Sequence, residues 1–252
     1  MVAAHSDSLV IIPTYNEIEN VERMIRTVMV QAKAFNILFV DDGSPDGTAA
    51  KIKELQKEFE GRIHLLERKG KLGLGTAYIA GFRWAIEKQY AFIFEMDCDF
   101  SHNPEDLIRL HAACSEGKAD VAIGSRYITG VNVVNWPMKR VLMSYYASAY
   151  VRMITGMTIR DTTAGFKCYR REVLEGIELD KIKFMGYAFQ IEMKFTAWKC
   201  GYTLTEVPII FHDRTLGESK MSGKIFREAI FGVIEMKVKS WFRKFPRKKT
   251  MQ

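Results

Sequence analysis

The segment EMDCDFSHNPEDL places Asp97 and Asp99 two residues apart, just past an apolar run that reads as a buried strand. Carboxylates at that spacing on an extended turn can face one hard cation. Mg²⁺ or Mn²⁺ keeps several waters and takes only one or two carboxylates plus phosphate oxygens, so such a pair implies a diphosphate ligand. Two solvated turn aspartates give the same pattern. Asn103 or His102 is placed to cap the helix that follows, whose first turn holds Pro104, Glu105 and Asp106. A second acidic cluster, DDGSPDG at 41–47, also follows an apolar run. Its composition specifies a turn and a helix start with Asp46 as the cap, leaving Asp41 and Asp42 as surplus carboxylates able to accept hydrogen bonds from a ribose or a base. KGKLGLGTA at 69–77 is rich in glycine, yet its spacing is neither that of a Walker A loop nor that of a dinucleotide fingerprint.

The elements that must position these residues alternate. Strands are predicted at Leu9–Ile12, Asn36–Val40, Ile63–Leu66, Ala91–Met96 and Val121–Gly124, and helices at Glu19–Ala32, Asp46–Phe59, Thr76–Lys88 and Glu105–Glu116. This pattern predicts an α/β fold with a mostly parallel central sheet and helices on both faces. Such sheets bind ligands beyond the carboxyl ends of their strands, where Tyr15, Asn16 and Glu17, then Asp41 and Asp42, then Asp97 and Asp99 fall. After Ser125 the periodicity fades, and Trp136-Pro137 breaks the chain, so one domain with an irregular second half is expected.

With 252 residues, 48% hydrophobic and 27% charged, the chain is excluded from the disordered and collagen-like classes. The longest charge-free run, Tyr127–Met138, has 12 residues, short of the roughly 18 to 20 that a membrane-spanning helix needs. The opening MVAAHSDS lacks a basic segment, so no secretory signal is expected. Cys98, Cys114, Cys168 and Cys200 are widely spaced, fitting neither a zinc knuckle nor a disulfide framework, and a reducing cytosol follows as the default. Of the net charge of +7, residues 220–252 carry ten Lys or Arg against Glu228 and Glu235, leaving a near-neutral body. Basic residues confined to one end argue for a local anionic surface and against nucleic acid, which would need them spread along a groove.

Taken together, PTYNE at 13–17, DDGSPDGT at 41–48, GLGTAY at 73–78, MDCDFSH at 96–102, GSRY at 124–127, DTTAGFKCYRR at 161–171, Phe189-Gln190-Ile191-Glu192 and EVPIIFHDRTLGESKM at 206–221 resemble the family 2 glycosyltransferases. Within them they are similar to the dolichol-phosphate (polyprenol-phosphate) mannose synthases, over about residues 8–223. The resemblance implies a GT-A (Rossmann-like) fold, a nucleotide diphosphate sugar donor, usually GDP-mannose, a divalent metal (Mg²⁺ or Mn²⁺) and a polyprenyl (dolichyl-type) monophosphate acceptor, with a UDP-sugar as the alternative donor. By motif, Pro13, Tyr15, Glu17, Val40 and Asp42 resemble the nucleoside pocket. Asp97 and Asp99 match the metal-binding DxD, with Ser101 at a third metal position and Cys98 in place of the usual alanine between them. Arg126, Arg214 and Lys220 match the basic residues near the diphosphate and the acceptor phosphate. The implied reaction inverts configuration by direct displacement, and a phosphate monoester with a second pKa near 6 is already largely a dianion at neutral pH, so no general base is required.

The resemblance also sets the expected organisation: a catalytic domain over 1–223 and a basic amphipathic helix and tail over 224–252, placed at the cytosolic face of a membrane. Relatives reach the bilayer through transmembrane helices or through a membrane partner subunit. In this chain Lys224–Phe245 reads as an amphipathic helix, with Phe226, Ile230, Val233, Ile234, Val238, Trp241, Phe242 and Phe245 along one stripe. A helix packed on the core with a solvated tail gives the same stripe. Lys139–Ile154 is a second candidate for lipid contact.

Overall fold

A computed structural model describes residues 6–186, 188–213 and 223–248. Its centre is a seven-stranded sheet of β1 (Ser8–Thr14), β2 (Asn36–Asp41), β3 (Ile63–Glu67), β4 (Phe92–Glu95), β5 (Val121–Ser125), β7 (Lys167–Arg170) and β8 (Leu204–Pro208), in the order β3-β2-β1-β4-β7-β5-β8. All neighbours are parallel except β7, which runs antiparallel between β4 and β5. A short parallel ribbon of β6 (Val133–Val134) and β9 (Phe211–His212) stands apart.

Strands covered on both faces read as continuous apolar runs, and β1 divides its side chains evenly. Leu9 and Ile11 pack with Tyr78, Phe82 and Ala85 of α3 (Leu74–Glu87). Val10 and Ile12 pack with α1 (Ile18–Met29), α2 (Thr48–Glu58) and α4 (Asp106–Ser115) through Met24, Ile52 and Leu107. The first layer also holds α5 (Met138–Thr155), α6 (Arg171–Gly176), α7 (Ala188–Lys199) and α8 (Gly223–Ser240), with Val233 and Met236 of α8 in its core. Among the described residues, no helix is long and apolar enough to cross a membrane.

Two boundaries differ from expectation for local reasons. The second helix starts at Thr48 rather than Asp46, because Gly47 takes a left-handed φ of 94° and Asp46 Oδ1 accepts the Thr48 N–H from outside the helix. The carboxyl Oδ2 of Asp46 also accepts the Ile18 N–H, so one residue caps two helices. The last helix stops at Ser240 rather than Phe245, where the Ser240 hydroxyl turns back onto the Lys237 carbonyl. The irregular half contains β7, whose four residues are paired only with strands distant in sequence.

Candidate active site

The chain runs from β1 outward to β2 and β3, then returns to place β4 on the other side of β1. In open sheets of this kind ligands bind at such a switch point, beyond the carboxyl ends of the strands, and the three acidic clusters follow the adjacent strands β1, β2 and β4. Two site turns contain non-glycine residues in the left-handed region, Asn16 (φ 57°) and Phe100 (φ 59°). Such residues persist only where surrounding contacts fix them, and they cluster at functional sites.

On the β2 side, Asp41 accepts bonds from the Thr14 hydroxyl (2.9 Å), the Ser44 N–H (2.9 Å) and the Ser44 hydroxyl (2.6 Å). Its carboxylate therefore builds the turn, which corrects the expectation that Asp41 is surplus. Asp42 is buried and takes Arg68 Nε at 2.6 Å, while Arg68 Nη1 reaches the Thr76 hydroxyl at 2.8 Å. Arg68 thus bridges the acidic turn to the glycine loop, a role with no signal in the sequence. Val40 is wholly buried, Pro13 is partly buried, and Lys71 lies 5.0 Å over the Tyr15 ring. Glu17 accepts from the Asn20 side chain at 2.9 Å, and its own N–H is held by the Thr48 hydroxyl. In the glycine loop, the Gly75 N–H meets the Met185 carbonyl at 2.8 Å, and a Cβ on Gly75 would lie 2.8 Å from both the Phe184 carbonyl and the Phe189 ring. That contact explains a glycine there in terms of packing.

On the β4 side, the side chain of Asp97 is 41% exposed, whereas Asp99 is buried and accepts the Ser101 N–H at 3.1 Å. Cys98 points into the apolar core, and its thiol is pushed well up by burial and then by the nearby carboxylates of Glu17, Asp99 and Asp97. Its backbone, not its sulfur, is what a ligand could meet. His102 does not cap a helix; it is buried, stacked on Phe166, and accepts the Asp97 N–H at Nδ1 (3.3 Å). Burial holds it neutral, down to about 4. Asn103 makes the turn cap instead, accepting the Glu105 N–H at 3.1 Å.

Among the described residues no cluster of three or more His, Cys, Asp or Glu is arranged to cage a metal. Asp97 and Asp99 offer hard oxygens from one turn, and His102 turns Nδ1 to the backbone. This donor set fits Mg²⁺ or Mn²⁺ sharing its shell with diphosphate and water oxygens, and does not fit a closed N/S site. Behind the turn, wholly buried Lys167 pairs with wholly buried Glu95 at 3.1 Å, while Gln190 and Tyr169 each bond Glu95 at 2.8 Å. Lys194 donates to the Ala164 carbonyl at 2.6 Å. These groups anchor the end of β4 directly before Asp97. Sequence reasoning missed them as a network, although GFK and FQIE both contribute members.

Arg126 lies at the end of β5 in a buried two-pronged pair with Asp161, Nε to Oδ2 and Nη2 to Oδ1 both at 2.7 Å, and also reaches the Thr163 hydroxyl. Its guanidinium sits between the rings of Tyr127, Trp136 and Phe211. Arg140 also lies over Trp136, at 4.1 Å, and pairs with Asp213 at 2.7 Å. Arg140 was not singled out from the sequence; its signal was its place two residues into a helix after Trp136-Pro137. Arg214 and Lys220 lie outside the described residues, directly beyond Asp213.

A mostly parallel sheet whose carboxyl edge carries a DxD turn beside a second acidic turn has the architecture of a GT-A glycosyltransferase. The chain belongs to glycosyl transferase family 2, whose family model matches residues 9–177. It is 49% identical over 228 residues to the polyprenol monophosphomannose synthase of Mycolicibacterium smegmatis, spanning 90% of this chain and 86% of that protein. It is 45% identical over 225 residues to the undecaprenyl-phosphate mannosyltransferase of Micrococcus luteus, spanning 89% and 91%. Among solved structures, its fold matches mannosyltransferase PcManGT from Pyrobaculum calidifontis, in complex with GDP-Man and Mn²⁺, with a TM-score of 0.60, 16% identity and coverage of 96% of this chain and 66% of that one. Glucosyl-3-phosphoglycerate synthase from Mycobacterium tuberculosis, with Mn²⁺ and UDP-glucose, matches with a TM-score of 0.67 and 15% identity over 93% and 80%.

Proposed function

We propose that the protein transfers mannose from GDP-mannose to a polyprenyl monophosphate with inversion, giving polyprenyl-phosphate β-mannose. The observation that carries this reading is the similarity to two lipid-phosphate mannosyltransferases over about nine-tenths of the chain, DxD turn included. Residues 1–223 form the catalytic domain. Glu17, Asp42, Tyr15, Pro13 and Val40 line the nucleoside side, and Asp97 and Asp99, with Ser101 beside them, hold Mg²⁺ or Mn²⁺. When bound, the cation supplies Lewis-acid stabilisation of the leaving diphosphate. The acceptor phosphate arrives as a dianion and attacks without a base, so the protein's task is to bring two anions together. Arg214 and Lys220 serve that task as phosphate-binding cations, and Arg126 fixes the ribbon from which Arg214 departs.

Incubating purified protein with Mg²⁺ or Mn²⁺, a short polyprenyl phosphate and, separately, GDP-mannose, UDP-glucose or UDP-N-acetylglucosamine should give a mannosyl-phosphoryl-lipid by mass spectrometry of the organic extract. Product only with a UDP-sugar would overturn the donor, and no product with any donor would point to an obligatory partner subunit or an inactive chain.

The isoprenoid tail keeps the acceptor in a bilayer, since each buried methylene is worth about 0.8 kcal/mol. Residues 224–252 are the peripheral membrane contact, on the cytosolic face. Trp241 and Phe242 are 67% and 85% exposed at the end of α8, Phe231 and Ile234 lie exposed along it, and Tyr146 and Met153 are exposed on the adjoining α5. Replacing Trp241 and Phe242 together by Ser should weaken binding to anionic liposomes about tenfold or more while leaving the melting temperature unchanged, because neither ring is packed. Equal liposome binding by the double variant would sink the interfacial assignment.

A further inference from the structure

Helix α7 has two working faces. Gln190 and Lys194 turn toward the buried network behind Asp97, whereas Glu192, Phe195 and Thr196 line a separate cleft of about 360 Å³ between α7, the 3-10 turn at Leu179–Lys181 and the end of α8. Among the described residues, none of those assigned above to donor or cation lines it. Its lining is aromatic, with Phe184, Phe195 and Phe245 joined by the largely exposed Phe242, and its cations are Lys181, Lys183, Lys239 and Arg243.

The cations outnumber the charges that offset them. Lys183 and Lys239 both lean on the single carboxylate of Glu235, the second at 2.7 Å. Lys181 takes Glu178 at 2.6 Å, which leaves Arg243 with only a 3.8 Å approach to the same carboxylate, too long for a hydrogen bond. Accordingly, Nε and Nη2 of Arg243 are buried with no hydrogen-bond acceptor. Buried guanidinium donors without an acceptor are costly and call for a partner. Glu192 feels the Arg243 charge but makes no hydrogen bond to Nε or Nη2, and its Oε2 takes the N–H groups of Lys183 (2.8 Å) and Phe184 (2.9 Å) instead.

We propose that this cleft binds an amphiphile with a phosphate head, its oxygens on Arg243 and the rim lysines and its first apolar segment against Phe184, Phe195 and Phe242. An arginine donating through two N–H groups suits a phosphate, and the aromatic lining, opening beside Trp241 and Phe242, suits the chain attached to it. The proposal does not depend on the donor assignment. The cleft also adjoins the glycine loop, since the segment that Glu192 holds continues to Met185, whose carbonyl takes the Gly75 N–H.

The test titrates the full-length protein calorimetrically with dihexanoyl phosphatidic acid below its micelle concentration, and in parallel with inorganic phosphate and dihexanoyl phosphatidylcholine. The phosphatidic acid should bind at least about tenfold more tightly than either, and Arg243→Gln should weaken that binding about tenfold without changing sugar transfer to a soluble short-chain acceptor. Lys181→Gln, a change at an exposed side chain that leaves folding intact, should weaken it by a smaller factor. Equal affinity for inorganic phosphate would overturn the amphiphile in favour of free phosphate. Unchanged phosphatidic acid binding in both variants would overturn the site.

Discussion

Replacing Asp99 by Asn should remove most of the sugar transfer while leaving the protein folded. Asparagine keeps the volume, and its side-chain oxygen can still accept the Ser101 N–H that Asp99 accepts at 3.1 Å. A residue present only to shape the turn would therefore be replaced without loss, since asparagine is itself a favoured turn former. What the substitution removes is one negative charge from a two-carboxylate donor set whose task is to hold a cation against a diphosphate. Loss of a group that stabilises developing charge typically costs about 3–4 kcal/mol, or two to three orders of magnitude in rate. The expected result is a hundredfold or greater fall in initial rate at saturating donor, a weaker Mn²⁺ affinity measured by electron paramagnetic resonance, and an unchanged circular dichroism spectrum. Lipid-linked product formed at the wild-type rate would remove Asp99 from the metal site.

The parts of this molecule legible in its sequence are those governed by local pattern. Five of the strands announce themselves as short apolar runs, and the central ones do so because they are buried on both faces, as the division of Leu9 and Ile11 from Val10 and Ile12 shows. The DxD turn and the acidic turn after β2 were readable because turn chemistry is also local. What was hidden depends on partners brought close only by the fold. Lys167 reads as a charged residue yet is wholly buried, because Glu95 lies across an antiparallel pairing that no local period encodes. Asp42 reads as a ligand-facing carboxylate, but whether it meets Arg68 is decided by the β2–β3 register. Asp41 and Asp42 are neighbours of the same type, and only the hydroxyls of Thr14 and Ser44 assign the first to the turn.

Arg126 is the sharpest instance, and it carries the second large effect. Motif matching places it near phosphate, whereas in the structure its guanidinium is already paired with Asp161 and enclosed by Tyr127, Trp136 and Phe211. Asp161 is itself fixed by its own N–H to Glu206, which also holds Ser125 and the Arg160 N–H, so the pair ties the end of β5 to the end of β8. Asp161→Asn should cost about 3–5 kcal/mol of stability, because it takes the two-pronged carboxylate from a buried guanidinium. Urea unfolding at pH 7, followed by tryptophan fluorescence that includes Trp136, measures it. Adding Arg126→Gln to that variant should recover part of the loss, since the second change removes the buried charge that the Asp161 carboxylate offset. The acid limb gives an independent check. Burial alone would raise the Asp161 carboxyl, but the Arg126 charge and hydrogen bonds outweigh it and hold it below its usual 3.8. A carboxyl lowered in the folded state stabilises above its unfolded pKa and loses that contribution as pH falls through the folded value. The wild type should therefore lose stability more steeply than Asp161→Asn below about pH 4, and the two curves should converge in acid. A loss under about 1 kcal/mol at pH 7, with parallel acid limbs, would show that Arg126 is free to leave Asp161 and would return it to the phosphate role that its motif implies.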